Sequence, residues 1–248
     1  MKVNKIVLIL SLSFILIAAL TVFLVFRNTI FFYRLNEELK ASPSVESEQE
    51  INRIISKLER VPISKLPKEF LESGYFSKPE FQAYFQGRYF YKLSMEQAME
   101  KIVDNWRIID FISGDQKNHW FYSLDKEFYW LIDKKVLIAF LQLKKKMEEK
   151  DLDWDGIRLN SANRSPYWNG LVGGAAYSRH LCGDAIDFSV GDVDKNGITN
   201  YEDKLKVLEL CELIIGDKGG IGLYPKTQAI HIDTRGRSAR WNSYTPGK

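Results

Sequence analysis

Two short stretches with a period of two constrain this chain most. Ala185-Ile-Asp-Phe-Ser-Val190 and Gln228-Ala-Ile-His-Ile-Asp-Thr234 both alternate apolar and polar side chains. A strand turns successive side chains to opposite faces. The first stretch therefore sets Asp187 and Ser189 against Ile186 and Phe188. The second groups Ala229, His231 and Asp233 opposite Ile230 and Ile232. As neighbours in one sheet, the two strands point Asp187 and His231 into a common cleft. His180, in Ser178-Arg-His-Leu-Cys-Gly-Asp184, reaches that cleft from the preceding loop. Two imidazoles and one carboxylate are the protein ligands of a zinc site that keeps one position open. Two of the three histidines of the chain fall in these stretches, which argues against ordinary buried polar groups.

The segments around them read as supports. Gly156 to Ser161 alternates like a strand, Ala162 to Pro166 is a turn carrying Arg164, and Asn169 to Gly174 is a glycine-rich loop. That loop lacks the GxxxxGK[ST] phosphate pattern, so its glycines serve close backbone approach. Residues 192–203 fit a calcium loop. Asp192, Asp194, Asn196, Asn200 and Asp203 fall at positions 1, 3, 5, 9 and 12, Ile198 offers a carbonyl at position 7, and Gly197 takes the sharp turn. The alternative is an acidic turn without metal. A helix follows, with Leu205, Leu208, Leu210, Leu213 and Ile214 as its apolar positions.

The amino-terminal part has a different character. Residues 6–26 carry no charge, and ~20 such residues cross a bilayer core as a helix. Bulky Val22-Phe-Leu-Val-Phe26 offers no small-residue cleavage site, so an uncleaved anchor is expected after a short cytoplasmic tail at 1–5. Lys2 and Lys5 before the run and Arg27 and Arg34 after it leave its orientation undecided by charge. Residues 27–66 read as a stalk and helical linker, in which Ile51, Ile54, Ile55, Leu58 and Val61 recur at helical spacing. With fewer than three heptads this suits a helix packed on its own domain, a coiled-coil or partner helix being the alternative. Residues 67–132 read as an aromatic-rich helical extension punctuated by Pro67 and Pro79, with Ser94 to Ile112 as one helix. The aromatics suit a buried core, a sugar groove being the alternative. His119, beside Trp120 and Phe121, reads as structural. Asp133 to Glu149 is the clearest helix, and Lys144 to Lys146 read as its solvated end.

Net charge is +3 over 248 residues, which leaves no clustered basic footprint for nucleic acid. Cys182 and Cys211 are the only cysteines. Their spacing excludes a cysteine zinc cluster and is compatible with either a disulfide or two free thiols.

The motifs, in order, resemble a known family. Ser178, His180, Gly183, Ala185 and Asp187 meet the SxHxxGxAxD pattern of the zinc D-Ala-D-Ala metallopeptidases. These are peptidoglycan carboxypeptidases and endopeptidases that share a fold with lysostaphin-type enzymes and the hedgehog domain. Ser161-Ala-Asn-Arg-Ser-Pro166, Val172-Gly-Gly174, Gly219-Gly-Ile-Gly-Leu-Tyr-Pro225, His231-Ile-Asp-Thr-Arg-Gly236 and Arg240-Trp241 match further segments of the murein endopeptidase branch. The resemblance covers about 133–243. It implies zinc on His180, Asp187 and His231, Arg164 as the group that binds the substrate carbonyl or carboxylate, and substrate contacts at Ser161, Ser178 and Tyr224. Relatives carry a Glu three residues, or a His two residues, before the last ligand. Gln228 and Ala229 stand there instead, and neither takes a proton. Asp233 is then the candidate base, or else a partner that orients His231.

The expected fold is α+β. A small antiparallel sheet with flanking helices carries the zinc site in a domain at 133–248, after one transmembrane helix. The expected function is hydrolysis of peptidoglycan peptides on the extracytoplasmic (periplasmic or wall) side by a zinc-dependent D,D- or L,D-carboxypeptidase or endopeptidase. A non-catalytic zinc-containing module that binds wall peptides or a protein is the alternative.

Overall fold

The computed structural model describes residues 4–117 and 126–242. The chain divides into two units, Met1–Pro43 and Ser44–Lys248. His119 lies outside the described residues.

The first unit is built on one helix, α1 (Asn4–Ala41). At 1.5 Å per residue it is about 57 Å long, against a bilayer core of ~30 Å. It is long and apolar enough to cross a membrane, and its large apolar side chains from Leu12 to Phe26 are exposed. The helix runs on beyond the uncharged stretch through Arg27 and Arg34.

The second unit opens with α2 (Glu48–Ser56), β1 (Glu59–Pro62), α3 (Lys68–Ser73), α4 (Pro79–Phe85), β2 (Tyr89–Leu93), α5 (Met95–Met99), β3 (Lys101–Val103), β4 (Trp106–Arg107), α6 (Gly114–Lys117) and β5 (Phe128–Trp130). It continues with α7 (Lys134–Glu149), β6 (Ile157–Ser161), α8 (Pro166–Leu171), β7 (Ala185–Val190), α9 (Tyr201–Ile215), β8 (Gly220–Leu223), β9 (Ala229–Asp233) and β10 (Ala239–Asn242). The fold is α+β. Its main sheet has the order β10-β8-β9-β7-β6 and is antiparallel except for the parallel β10/β8 edge. A smaller antiparallel sheet, β1-β2-β5, precedes it in the chain.

Alternation decides the faces of the main sheet. Ile186, Phe188, Ile230 and Ile232 are fully buried, each contributing roughly 1.5–3 kcal/mol relative to exposure. α9 packs on β7, β8 and β9, and α7 reaches the apolar face through Phe140. Asp133 caps α7 by accepting from the Lys135 N–H (3.0 Å), and Phe140 meets Phe188 and Trp154 with ring centroids 5.6 and 5.0 Å apart.

Two local readings change on folding. The stretch Ser94 to Ile112 is α-helical only over Met95–Met99, opened by a capping box between Ser94 and Gln97, with a 3-10 turn at Ile108–Phe111. Ile102 and Val103 favour a strand because they are β-branched. Asp104, at φ 49°, then turns the chain so that Lys101 pairs with Arg107. Lys144 does not belong to a solvated helix end. It is buried and held by Glu46 (2.7 Å), Glu148 (2.7 Å) and Asp104 (3.6 Å), because its place on α7 follows the Phe140 face by one turn. Within residues 44–66, α2 packs on its own unit, as its short apolar stripe suggests. Ser47 caps α2, and Ile51, Ile54 and Ile55 are buried where α2 packs on α7 and β3. Such an apolar stripe is costly to leave in water.

The aromatic segment likewise belongs to the folded unit. Phe76, Phe85, Phe90, Tyr129 and Leu131 form one buried cluster with Leu181. Phe76 packs on Phe70, Phe85 and Phe90 at centroid distances of 5.1, 5.0 and 5.5 Å. Leu181 is the neighbour of His180, so this core reaches the residue beside the site.

Candidate metal centre

The register of β7 and β9 sets Asp187 directly opposite His231, with Ala185 opposite Asp233. His180 arrives on a single 3-10 turn, Arg179–Cys182, capped by Ser178. The turn ends at Gly183 with φ 70°. A Cβ on Gly183 would stand 2.1 Å from the carbonyl oxygen of Leu131, so both the dihedral and the close approach require glycine.

His180, Asp187 and His231 are buried, and one ligand atom from each lies within 4.8 Å of the others. His180 Nε2 is 3.1 Å from Asp187 Oδ2 and 3.2 Å from His231 Nδ1, which is 2.7 Å from Asp187 Oδ1. The outer nitrogens are spoken for. His180 Nδ1 donates to the Ala162 carbonyl (2.5 Å), and His231 Nε2 donates to Asp233 Oδ2 (3.1 Å). Each imidazole is thereby left with its lone pair facing inward, the arrangement that outer hydrogen bonds impose on metal-binding histidines. The donor set fits a divalent zinc-type ion.

Burial dominates the electrostatics. It lowers the pKa of His180 against the pull of Asp187. For His231 the same burial is outweighed by hydrogen bonds to Asp187 and Asp233, and its pKa rises. Burial would raise Asp187, but contacts with both histidines hold it well below the usual carboxylate range. The carboxylate is therefore ionised and ready to face a cation.

Asp233 lies behind His231. It is fully buried, accepts from the Gly220 N–H (3.1 Å) and pairs with Arg235 (2.7 and 2.5 Å). Burial raises its pKa, yet the bonds from His231 and Arg235 win and keep it below the ordinary range. The ionised carboxylate meets the outer nitrogen of His231, the position of a partner that orients a ligand ring. Alternation predicts its face but not which imidazole nitrogen it meets.

The open side is a cleft of about 610 Å³ lined by Arg164, Gly173 to His180, Tyr224, His231, Arg235 and Trp241. No carboxylate is among these lining residues. Arg164 donates to Ser161 Oγ (2.8 Å) and to Asp187 Oδ2 (2.5 Å), so Ser161 acts on Arg164. Ser178 Oγ accepts from the His180 N–H (3.4 Å). Tyr224 faces the cleft; burial raises its pKa and the Asp187 charge adds to this, so it stays a donor. Arg235 and Trp241 complete the wall. Trp241 sits 4.9 Å from the His231 ring, with Arg235 5.3 Å over its own ring. The parity of β9 continues from His231 through Asp233 to Arg235, a signal that could have found Arg235.

The 192–203 loop is self-bonded. Asp192 accepts from the N–H groups of Asn196 and Gly197 (3.1 and 2.8 Å), and Asn196 accepts from Ile198 (2.8 Å). Asn200 caps α9 through Glu202 (2.6 Å). Asp203 accepts from Val193, Asp194 and Asn200 (3.0, 3.4 and 2.9 Å), and Lys206 pairs with Asp194. Asp192, Asp194 and Asp203 bring carboxylate oxygens within 4.8 Å of one another. Cys182 and Cys211 are both free and buried.

Two imidazoles and a carboxylate beneath an open cleft on an antiparallel sheet make a candidate site for a divalent metal ion. Residues 131–233 match the Peptidase M15 family. The matched family is that of the zinc D-Ala-D-Ala metallopeptidases, which are zinc-dependent. No curated protein and no solved structure matches the chain.

Proposed function

We propose that this chain is a membrane-anchored zinc peptidase that cuts cross-links or D-Ala-containing stem peptides of peptidoglycan, as a D,D- or L,D-carboxypeptidase or endopeptidase. The observation that carries the reading is the inward convergence of His180 Nε2, Asp187 and His231 Nδ1 inside a Peptidase M15 segment. These three residues would hold the zinc. When bound, zinc supplies Lewis acidity toward a carbonyl and lowers the pKa of water. Arg164, aimed by Ser161, binds a substrate carbonyl or carboxylate and stabilises negative charge that develops on it. Tyr224 donates a hydrogen bond to the same peptide. Asp233 and Arg235 hold the His231 tautomer, and Ser178 caps the turn that presents His180.

α1 anchors the chain through residues 6–26, with the second unit on the extracytoplasmic side where peptidoglycan lies. That side stands or falls with the substrate. The test is to incubate the detergent-solubilised chain, zinc-loaded, with purified wall and to identify released fragments by mass spectrometry. Peptide fragments that disappear on chelation and return with zinc are the expected result. Their absence with zinc bound would instead favour a non-catalytic zinc module that binds wall peptides. Gln228 and Ala229 at the positions where relatives carry a proton acceptor, and a cleft lining free of carboxylates, favour that second reading.

Calcium in the 192–203 loop is a separate part of the proposal. Support comes from the three clustered carboxylates and from Gly197 at φ 86°. The ion would brace the chain between β7 and α9. At 100 times its dissociation constant, calcium adds about 2.7 kcal/mol, so the chelated chain gains roughly 5–10 °C in melting temperature. Asp194→Asn is expected to cancel this gain. An unchanged melting temperature of the parent chain would remove calcium from the proposal.

A further inference from the structure

We infer that Tyr84, in a part of the chain that the family match does not cover, is a positioning residue for the metal ligand His180. The inference rests on the zinc reading above. The turn Arg179–Cys182 is a four-residue 3-10 piece, and such pieces are short with poor internal hydrogen-bond geometry. Its orientation depends on what grips its ends.

One grip lies within the family segment. The His180 carbonyl accepts from the Arg164 N–H (3.1 Å) and from Asn163 Nδ2 (3.2 Å). The other comes from α4 and the residues after it. Tyr84 Oη donates to the carbonyl of Ser178 (3.1 Å), the residue that caps the turn. The Cys182 thiol, at the end of the turn, donates back to Tyr84 Oη (3.2 Å). Arg88 closes the loop. Its Nε donates to the Tyr84 carbonyl (3.0 Å), while its other nitrogens reach the Cys182 carbonyl and sulfur (3.4 and 3.3 Å). One hydroxyl thus ties the cap residue Ser178 to the last residue of the turn, Cys182, with His180 between them.

Below this network, Leu181 is fully buried in the aromatic cluster with Phe76, Phe85 and Phe90. The turn is therefore clamped by polar bonds at its ends and by an apolar plug at its centre. Partners outside the ligand set that fix ligand direction are worth 10- to 100-fold in metal affinity. Tyr84 acts one step further out, so the lower figure applies.

The experiment uses the detergent-solubilised full chain. Zinc affinity is measured by competition with a chromophoric chelator for the parent, Tyr84→Phe, Tyr84→Ala and Arg88→Met, together with the melting temperature of each chelated protein. Tyr84→Phe keeps the ring and loses only the hydroxyl. It is expected to bind zinc about 10-fold more weakly while melting, when chelated, near the parent. Arg88→Met is expected to weaken zinc in the same direction, and decides the matter alone should the tyrosine variants not fold. Parent-like zinc affinity in Tyr84→Phe, with losses confined to Tyr84→Ala, would mean that the ring merely packs and would overturn the inference. A parent chain that binds no zinc at all would sink the zinc reading itself, a result distinguishable from the first.

Discussion

Replacing His231 with alanine is expected to abolish release of peptide fragments from purified wall and to take bound zinc from one per chain to none. The substitution deletes the Nδ1 donor and leaves a cavity beside Asp187. It also strips Asp233 of its imidazole partner (3.1 Å). Two remaining donors, His180 and Asp187, make a weak and open site. Asp233→Asn gives the informative contrast. An asparagine keeps the shape and still accepts from His231 Nε2, but it loses the charge that pairs with Arg235. Zinc affinity should fall about 10- to 100-fold, and turnover should recover when zinc is saturating. A proton acceptor in the cleft would behave otherwise: Asp233→Asn would stay inactive at any zinc concentration. Full activity in His231→Ala would refute the metal centre outright.

Gly183→Ala is expected to lower stability by about 3 kcal/mol, because a left-handed dihedral and a backbone clash are imposed together. For a unit of this size the melting temperature drops by roughly 6–12 °C. The added methyl would meet the Leu131 carbonyl at 2.1 Å and the Ile132 Cα at 2.9 Å, and backbone cannot swing aside as a side-chain tip can. The turn would have to lift from the entry to α7, where the Asp133 N–H donates to the Gly183 carbonyl (2.9 Å). Zinc affinity should fall along with stability, since His180 rides on that turn. Gly170→Ala serves as the control. It sits in α8 with open space around its Cβ position, and should melt at or above the parent temperature. A Gly183→Ala protein that melts within about 2 °C of the parent would contradict the close packing described here.

The site was legible where its geometry follows from alternation. β7 and β9 each place one apolar residue inward for every polar residue outward, so the face shared by Asp187 and His231 can be read directly. The short linear pattern from Ser178 to Asp187 carries His180 for the same reason: its spacing is local. Asp233 shows the limit. Parity puts it on the face of His231, but only the side-chain rotamers decide that it meets the outer nitrogen. A helix pattern puts Lys144 at a solvated end because it does not announce that Glu46 and Asp104 will arrive from elsewhere in the chain. β3 and β4 were hidden in a helical spacing of apolar residues, since Met95, Ala98, Met99 and Ile102 satisfy that spacing and are all buried. Tyr84 left no trace at all in the sequence. It lies 94 residues from Ser178, and nothing local marks a tyrosine whose partner is a distant backbone carbonyl.

The first residues of the second unit have a mechanical meaning. Val45 exchanges two N–H···O bonds with Asp104 (3.0 and 2.8 Å), and the next residue, Glu46, holds Lys144. Tension drawn along the chain from α1 arrives at this point. To unravel the unit from that end, a pull must first break both backbone bonds and separate Glu46 from an ammonium group that Glu148 also holds. Only then can the isoleucines of α2 peel from α7. The second unit is thereby reinforced at the point where the chain from α1 enters it.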